Sequence, residues 1–240
     1  MKALQTLLVA FALLAPPAAR ADNWGGVYSA IMLTSDYRYQ GVSASRSHPA
    51  IQGYVHWQRA DGLYAGLFAT QVNYGYATAP TYELDTYAGK NFTLGPGKAE
   101  LKVEGMYTSF PNNRTYGPTL DFFQGKIQYK HTAGKWTTTA LASYVPEGSY
   151  RSGEAWRVEG EGDYAVNPHL TLKALTGYQW GGRGHERTYW SVGVATTWKT
   201  LGFELRYVDT DRTRRTCGFQ PKACDPAVVG TLTVSLPPIL

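Results

Sequence analysis

Along the stretch Ala155 to Tyr164, polar and apolar positions alternate almost without exception. Arg157, Glu159, Glu161 and Asp163 share one parity, and Trp156, Val158, Gly160, Gly162 and Tyr164 the other. Successive strand side chains point to opposite faces, so this is a two-faced strand. Taken alone it suits a soluble sandwich, with its charged face in water. Repetition changes that reading. The same pattern predicts strands over 27–34, 50–59, 63–72, 82–92, 99–109, 120–131, 136–145, 155–164, 170–178, 189–198, 203–208 and 228–236. Five short connections (60–62, 94–98, 132–135, 166–169 and 199–202) alternate strictly with six longer polar ones (35–49, 73–81, 110–119, 146–154, 179–188 and 209–227). Segments of about ten residues joined in this way are the signature of an outer-membrane barrel. The expectation is an all-β, transmembrane, antiparallel up-and-down β-barrel of about twelve strands, with ten or fourteen as the neighbouring counts. Closure would remove every sheet edge. An even count places both termini and the short turns on the periplasmic side and the six loops outside.

The N-terminus supports an exported chain. Lys2, the apolar run Ala3 to Leu14 and Ala19-Arg20-Ala21 form the three parts of a secretory signal. About twelve apolar residues are too few for a membrane-spanning helix, which needs about twenty. Residues 1–21 are therefore expected to be removed, and residues 22–240 to form one barrel domain. A mean hydropathy of -0.31 would suit a soluble protein. In a barrel only every second residue meets lipid, so the mean is uninformative. Aromatic content of 14%, with 18 Tyr and 7 Trp, fits interfacial girdles. Without Lys2 and Arg20 the formal charge falls from +5 to +3, which gives no case for a nucleic-acid partner. The two cysteines, Cys217 and Cys224, form an even pair in an exported chain and are expected to be disulfide-bonded.

Charges on strands must face inward, because Lys or Arg on the lipid face at mid-membrane costs about 2–4 kcal/mol. The expected pore-lining set is Glu83, Asp85, Glu100, Lys102, Glu104, Lys126, Lys130, Arg157, Glu159, Glu161, Asp163, Lys173, Glu204 and Arg206. It reads either as a water-filled channel or as a barrel filled by paired charges. In an open channel, Glu159, Glu161 and Asp163 on one strand and Lys126 and Lys130 two strands away would form separate acidic and basic walls. The loop arginines Arg38, Arg46, Arg114, Arg151, Arg183, Arg187, Arg212, Arg214 and Arg215 could attract anionic solutes or lipopolysaccharide phosphates. For any one of them, a solvated surface position is the simpler reading.

Catalytic chemistry has little support. His48, His56, His131, His169 and His185 are scattered and no G-x-S-x-G elbow accompanies them. No spacing of Cys, His and carboxylates fits a metal template, and no cofactor motif is present.

The motifs Ser35-Asp36-Tyr37 with Gly41-Val42-Ser43, Gly62-Leu63-Tyr64-Ala65-Gly66, Glu83-Leu84-Asp85-Thr86-Tyr87-Ala88-Gly89, and Asp209-Thr210-Asp211 with the two cysteines follow one another in order. Across essentially the whole mature chain they resemble the TorF-type family of outer-membrane porins. The resemblance implies a small outer-membrane barrel with channel function. The expectation is a non-enzymatic porin for small polar solutes, surrounded by outer-membrane lipid and lipopolysaccharide and inserted by the barrel-assembly machinery. A non-conducting structural or adhesive barrel and a lipid-modifying enzyme are the alternatives.

Overall fold

A computed structural model describes residues 25–75, 79–113, 120–217 and 221–239. The expected signal, residues 1–21, lies outside them. The strands are β1 (Gly26–Thr34), β2 (Arg38–Tyr39), β3 (Val42–Ser43), β4 (Ala50–Gln58), β5 (Leu63–Gln71), β6 (Tyr82–Leu94), β7 (Ala99–Ser109), β8 (Phe122–Ala133), β9 (Trp136–Val145), β10 (Ala155–Asn167), β11 (Leu170–Gly181), β12 (Arg187–Trp198), β13 (Leu201–Thr210) and β14 (Ala227–Ser235). Strands β2 and β3 form a small ribbon inside the first loop, and the other twelve close a barrel. Each barrel strand pairs antiparallel with its chain neighbours. Closure comes from β1, which pairs with β4 (Gly26 opposite Gln58) and with β14 (Thr34 opposite Thr231).

Alternation sets the two faces. Outward Ile127, Val192 and Val228 are 54%, 54% and 63% exposed, whereas inward Gln124 and Glu104 are 1% and 8% exposed. An apolar surface facing out around a polar interior inverts a soluble protein, and lipid is the solvent that suits it. Aromatic pairs flank the apolar band. At the turn end Trp136 lies 4.8 Å from Tyr164, with the Lys135 ammonium over the Tyr164 ring at 5.9 Å. At the loop end Tyr144 is tilted against Trp156 with centroids 4.4 Å apart, and Trp156 stacks on Trp180 at 6.5 Å. The turns are tight where the chain demands it. Gly62 has φ +89°, and a Cβ there would stand 2.1 Å from the Asn91 carbonyl oxygen, so only glycine fits.

The structure corrects three sequence expectations. Leu120 is buried beside a loop, and β8 begins only at Phe122. The loop expected over 179–188 shrinks because β11 runs to Gly181 and β12 starts at Arg187. The first loop is not wholly a surface loop, because residues 36–45 turn inward while 46–49 stay exposed. Its Asp36 is buried and accepts from Ser43 Oγ (2.5 Å), Ser45 Oγ (2.9 Å) and Arg38 Nε (2.7 Å). Ala44 packs with Val72, Phe110 and Leu120, backed by Tyr37 and Tyr74. This small apolar cluster pins three loops together over the barrel mouth. The Cys217–Cys224 disulfide is formed, in the loop that caps the same end.

The candidate functional site in the barrel lumen

All fourteen strand charges singled out in the sequence face the interior, where most are paired. On the β10–β13 side, Arg157 lies 3.5 Å from Glu159, and its Nε donates to Ser143 Oγ at 3.2 Å. Lys173 bridges Glu161 and Asp163, each at 3.2 Å. Arg206 reaches Glu161 at 3.1 Å while holding Glu204 on its own strand at 2.5 Å. On the β6–β8 side, Glu104 accepts from Lys102 (2.9 Å), Lys126 (3.1 Å) and the Tyr64 hydroxyl (3.0 Å). Asp85 accepts from Thr108 (2.6 Å), and Glu83 from the Tyr37 hydroxyl (2.8 Å). Glu100 and Lys130 stand 3.9 Å apart near the turns. Separate acidic and basic walls are therefore not what forms. Lys126 pairs with Glu104, and the acids of β10 are neutralised by bases from their own strand, β11 and β13.

Several of these contacts skip a strand, and register explains how. Tyr64 of β5 stands opposite Gly89 of β6, which stands opposite Glu104 of β7. The phenol lies over the glycine to reach the carboxylate. Tyr189 of β12, Gly177 of β11 and Glu159 of β10 repeat the arrangement, with a 2.6 Å hydrogen bond. A Cβ on Gly89 or Gly177 would stand 2.3 Å from the overlying tyrosine ring or hydroxyl. Tyr87 over Gly66 and Arg206 over Gly193 use the same space. Long polar side chains thereby lie flat along the wall instead of projecting across the barrel.

The inward loop completes the site. The Tyr39 hydroxyl accepts from Arg157 at 3.4 Å and its ring faces the guanidinium at 5.7 Å. Gln40 Oε1 accepts from Arg187 Nη2. Arg38 donates to the Asp225 carbonyl oxygen at 2.8 Å, tying this loop to the disulfide-bearing one. Arg38 and Arg187 are thus interior groups, which corrects the solvated reading for those two arginines. Arg214 keeps a surface position, paired with Asp225 at 2.6 Å. Arg114 lies outside the described residues. Below the loop is a cavity of about 430 Å³ lined by Arg157, Glu159, Tyr189, Glu204, Arg206 and loop residues. A second, of about 440 Å³, is lined by Tyr28, Tyr54, His56, Gln58 and Tyr87. His56 contacts Tyr87 and Gln58, not a serine. Among the described residues no group of His, Cys, Asp and Glu is disposed to hold a metal.

Sequence reasoning missed Tyr64, Tyr189 and their glycines, along with Tyr39 and Gln40. Tyr64 and Tyr189 both sit at inward parity. The signal available was a Tyr and a Gly at interior parity on adjacent strands.

The fold matches the KdgM porin, with a TM-score of 0.58 at 7% identity over 88% of this chain and 98% of that chain. It also matches an outer-membrane channel from Pseudomonas putida F1 (TM-score 0.58, 14% identity, 93% and 100% covered). The NanC porin matches with a TM-score of 0.53 at 11% identity over 89% and 100%. No curated protein matches the sequence. A family model, described as "Bacterial protein of unknown function (Gcw_chp)", matches residues 18–237.

Proposed function

The chain belongs to the Gcw_chp family, and we propose that it is an outer-membrane channel through which small polar solutes diffuse. The observation that carries this reading is the in-register glycine joint. Because Tyr64, Tyr189 and Arg206 lie along the wall over Gly89, Gly177 and Gly193, the charged lining is neutralised without a plug of side chains. Open space of about 430 and 440 Å³ remains at two levels. The first loop, held by Arg157 and Arg187, narrows the mouth above the charged lining. The short motifs that resemble TorF-type porins, and the porin-like fold, support the same reading. In this reading lipopolysaccharide and outer-membrane lipid contact the aromatic girdles, and the barrel-assembly machinery inserts the chain. The lumen acts as a passage and not as an enzyme.

The purified, refolded protein in a planar bilayer should give discrete unitary currents. A silent record from a bilayer shown to contain the folded barrel would overturn the reading and favour a non-conducting structural barrel. The inward loop and the paired charges are the observations that keep that second reading in view. Replacing Glu159, Glu161 and Asp163 by Gln, Gln and Asn leaves Lys173 without an ion-pair partner, Arg157 with only Ser143 and Tyr39, and Arg206 with Glu204 alone among the acids. The reversal potential should then move towards anions.

A further inference from the structure

The two cavities differ in chemistry. The one below the inward loop is lined by guanidinium and carboxylate groups. The other is lined by three phenols, an imidazole and an amide, with no charged side chain among them. Tyr28 faces His56 across the β1–β4 pair and is 47% exposed inside the lumen. His56 stacks on Tyr64 at 5.2 Å and on Tyr87 at 5.9 Å. Its ring nitrogens are within 3.3 Å of the Tyr87 hydroxyl and 3.4 Å of Gln58 Oε1. The imidazole is thereby held by two rings and two polar tips, and with Tyr87 it forms a fixed floor. Gln58 and the hydroxyls of Tyr28 and Tyr54 ring that floor.

A built surface of aromatic faces edged by neutral donors and acceptors selects its solute by elimination. An anion gains little from a lining with no cationic side chain, because nothing there offsets its desolvation cost. A purely apolar solute leaves the phenol, amide and imidazole groups without partners, which is unfavourable for each one buried. A pyranose matches both features. Its axial C–H face covers an aromatic ring while its equatorial hydroxyls reach hydrogen-bonding tips at the rim. We propose that the Tyr28–Tyr54–His56–Gln58–Tyr87 cavity is a binding subsite for a neutral sugar inside the channel. The inference rests on the channel reading and names a solute class for it. The volume of about 440 Å³ accommodates one or two hexose rings.

The experiment uses maltose as the neutral probe, glucuronate as the charged one, and a polyethylene glycol of similar mass as the volume control. With maltose on the turn side, unitary current should be interrupted reversibly, and the closed fraction should saturate with concentration. Polyethylene glycol and glucuronate should produce no saturable interruption. Tyr28→Ala should weaken maltose association about tenfold, with unitary conductance equal to or above that of the parent. Gln58→Ala should weaken it about threefold to tenfold, since one neutral hydrogen bond contributes about 0.5–1.5 kcal/mol. Each variant must itself conduct to be read, so insertion reports its folding. Currents that respond to maltose no more than to polyethylene glycol would overturn the subsite and leave the channel intact. Saturable interruption by glucuronate alone would overturn it also. If no current appears at all, the channel reading fails, and calorimetry of maltose with the refolded barrel in detergent decides the subsite separately. Heat that saturates in the parent and is lost in Tyr28→Ala supports the subsite, and no heat overturns it.

Discussion

Two regions of the wall carry the same device and hold it differently. On the β5–β7 side, Tyr64 crosses Gly89 to Glu104, and two lysines close the pair from the flank. On the β10–β12 side, Tyr189 crosses Gly177 to Glu159, and the neighbouring Arg157 is gripped from above by Tyr39 of the inward loop. The first joint is complete within the strands. The second is complete only with the loop seated on it. The Tyr64 joint can therefore stay fixed while the Tyr189 joint shares the stability of a loop, which is the less stable kind of element.

The largest separation between the two sides should come from Glu104→Gln. The Glu104 side chain is 7% exposed and is the ion-pair partner of both Lys102 and Lys126. Removing it leaves two interior cations unmatched, and breaking a buried pair from one side costs about 3 kcal/mol. Glu159→Gln, whose partner Arg157 also holds Ser143 and Tyr39, should cost less than half of that. Urea unfolding in lipid vesicles measures both, and equal costs would remove the distinction.

The glycines sharpen it. At Gly177 the three atoms nearest an added Cβ all belong to the Tyr189 side chain, the first two at 2.3 and 2.4 Å. At Gly89 it meets the Tyr64 hydroxyl and also the Val103 carbonyl oxygen, both at 2.3 Å. Overpacking of this kind costs about 1–3 kcal/mol. Gly177→Ala should lose most of its cost in a Tyr189→Ala background, because the obstruction leaves with the ring. Gly89→Ala should keep most of its cost in a Tyr64→Ala background, because backbone cannot leave. A double-mutant cycle on each side gives the two coupling energies. A large coupling at Gly89 would contradict the backbone origin.

How much of this was legible beforehand follows from what alternation encodes. Period two assigns each residue to a face, which is why Glu104, Glu159 and Arg206 were placed inside and Trp156 and Val158 outside. The period is silent on register. Arg206 and Glu161 are 45 residues apart, and no local pattern says that they share a level across β10 to β13. Parity offers the Tyr and Gly of each joint as candidates, but matching them needs the register of three strands. The first loop carries no period, so its burial could not be read, and Arg187 was assigned to a loop because Gly181, Gly182 and Gly184 precede it. The disulfide was legible because two cysteines in an exported chain leave one pairing.

That disulfide offers a smaller test, confined to the loop-dependent side. In the chain-entropy model its short closure contributes about 2.5 kcal/mol to the loop. The loop holds Arg38 through the Asp225 carbonyl oxygen, and Arg38 in turn holds Asp36 and Gly41. Cys217→Ser should raise amide exchange in residues 36–43 and increase channel noise while the barrel still assembles. Exchange in β5–β7 should stay at the parent rate. A variant that fails to assemble would show that the loop is needed earlier, for closing the barrel.

The smallest effect is a pH dependence on the same side. His185 lies in the short loop between β11 and β12, where burial, and then Arg187 and Arg212, push its pKa below the ordinary 6.5. Its carbonyl oxygen accepts from Gln179 and Arg187, and Arg187 holds Gln40 of the inward loop. A depressed folded-state pKa means that the seated loop binds fewer protons than the released one. The stabilisation is complete above pH 6.5 and declines as pH falls from there to the depressed value, below which the slope vanishes. Acidification through that window should therefore lower the amide protection factors, which correct for the intrinsic exchange rate, at 182–186 and at Gln40. Protection factors at Tyr64, Gly89 and Glu104 should remain level. His185→Gln should abolish the pH step on the β10–β12 side, and a step that persists in this variant would move its origin to another group.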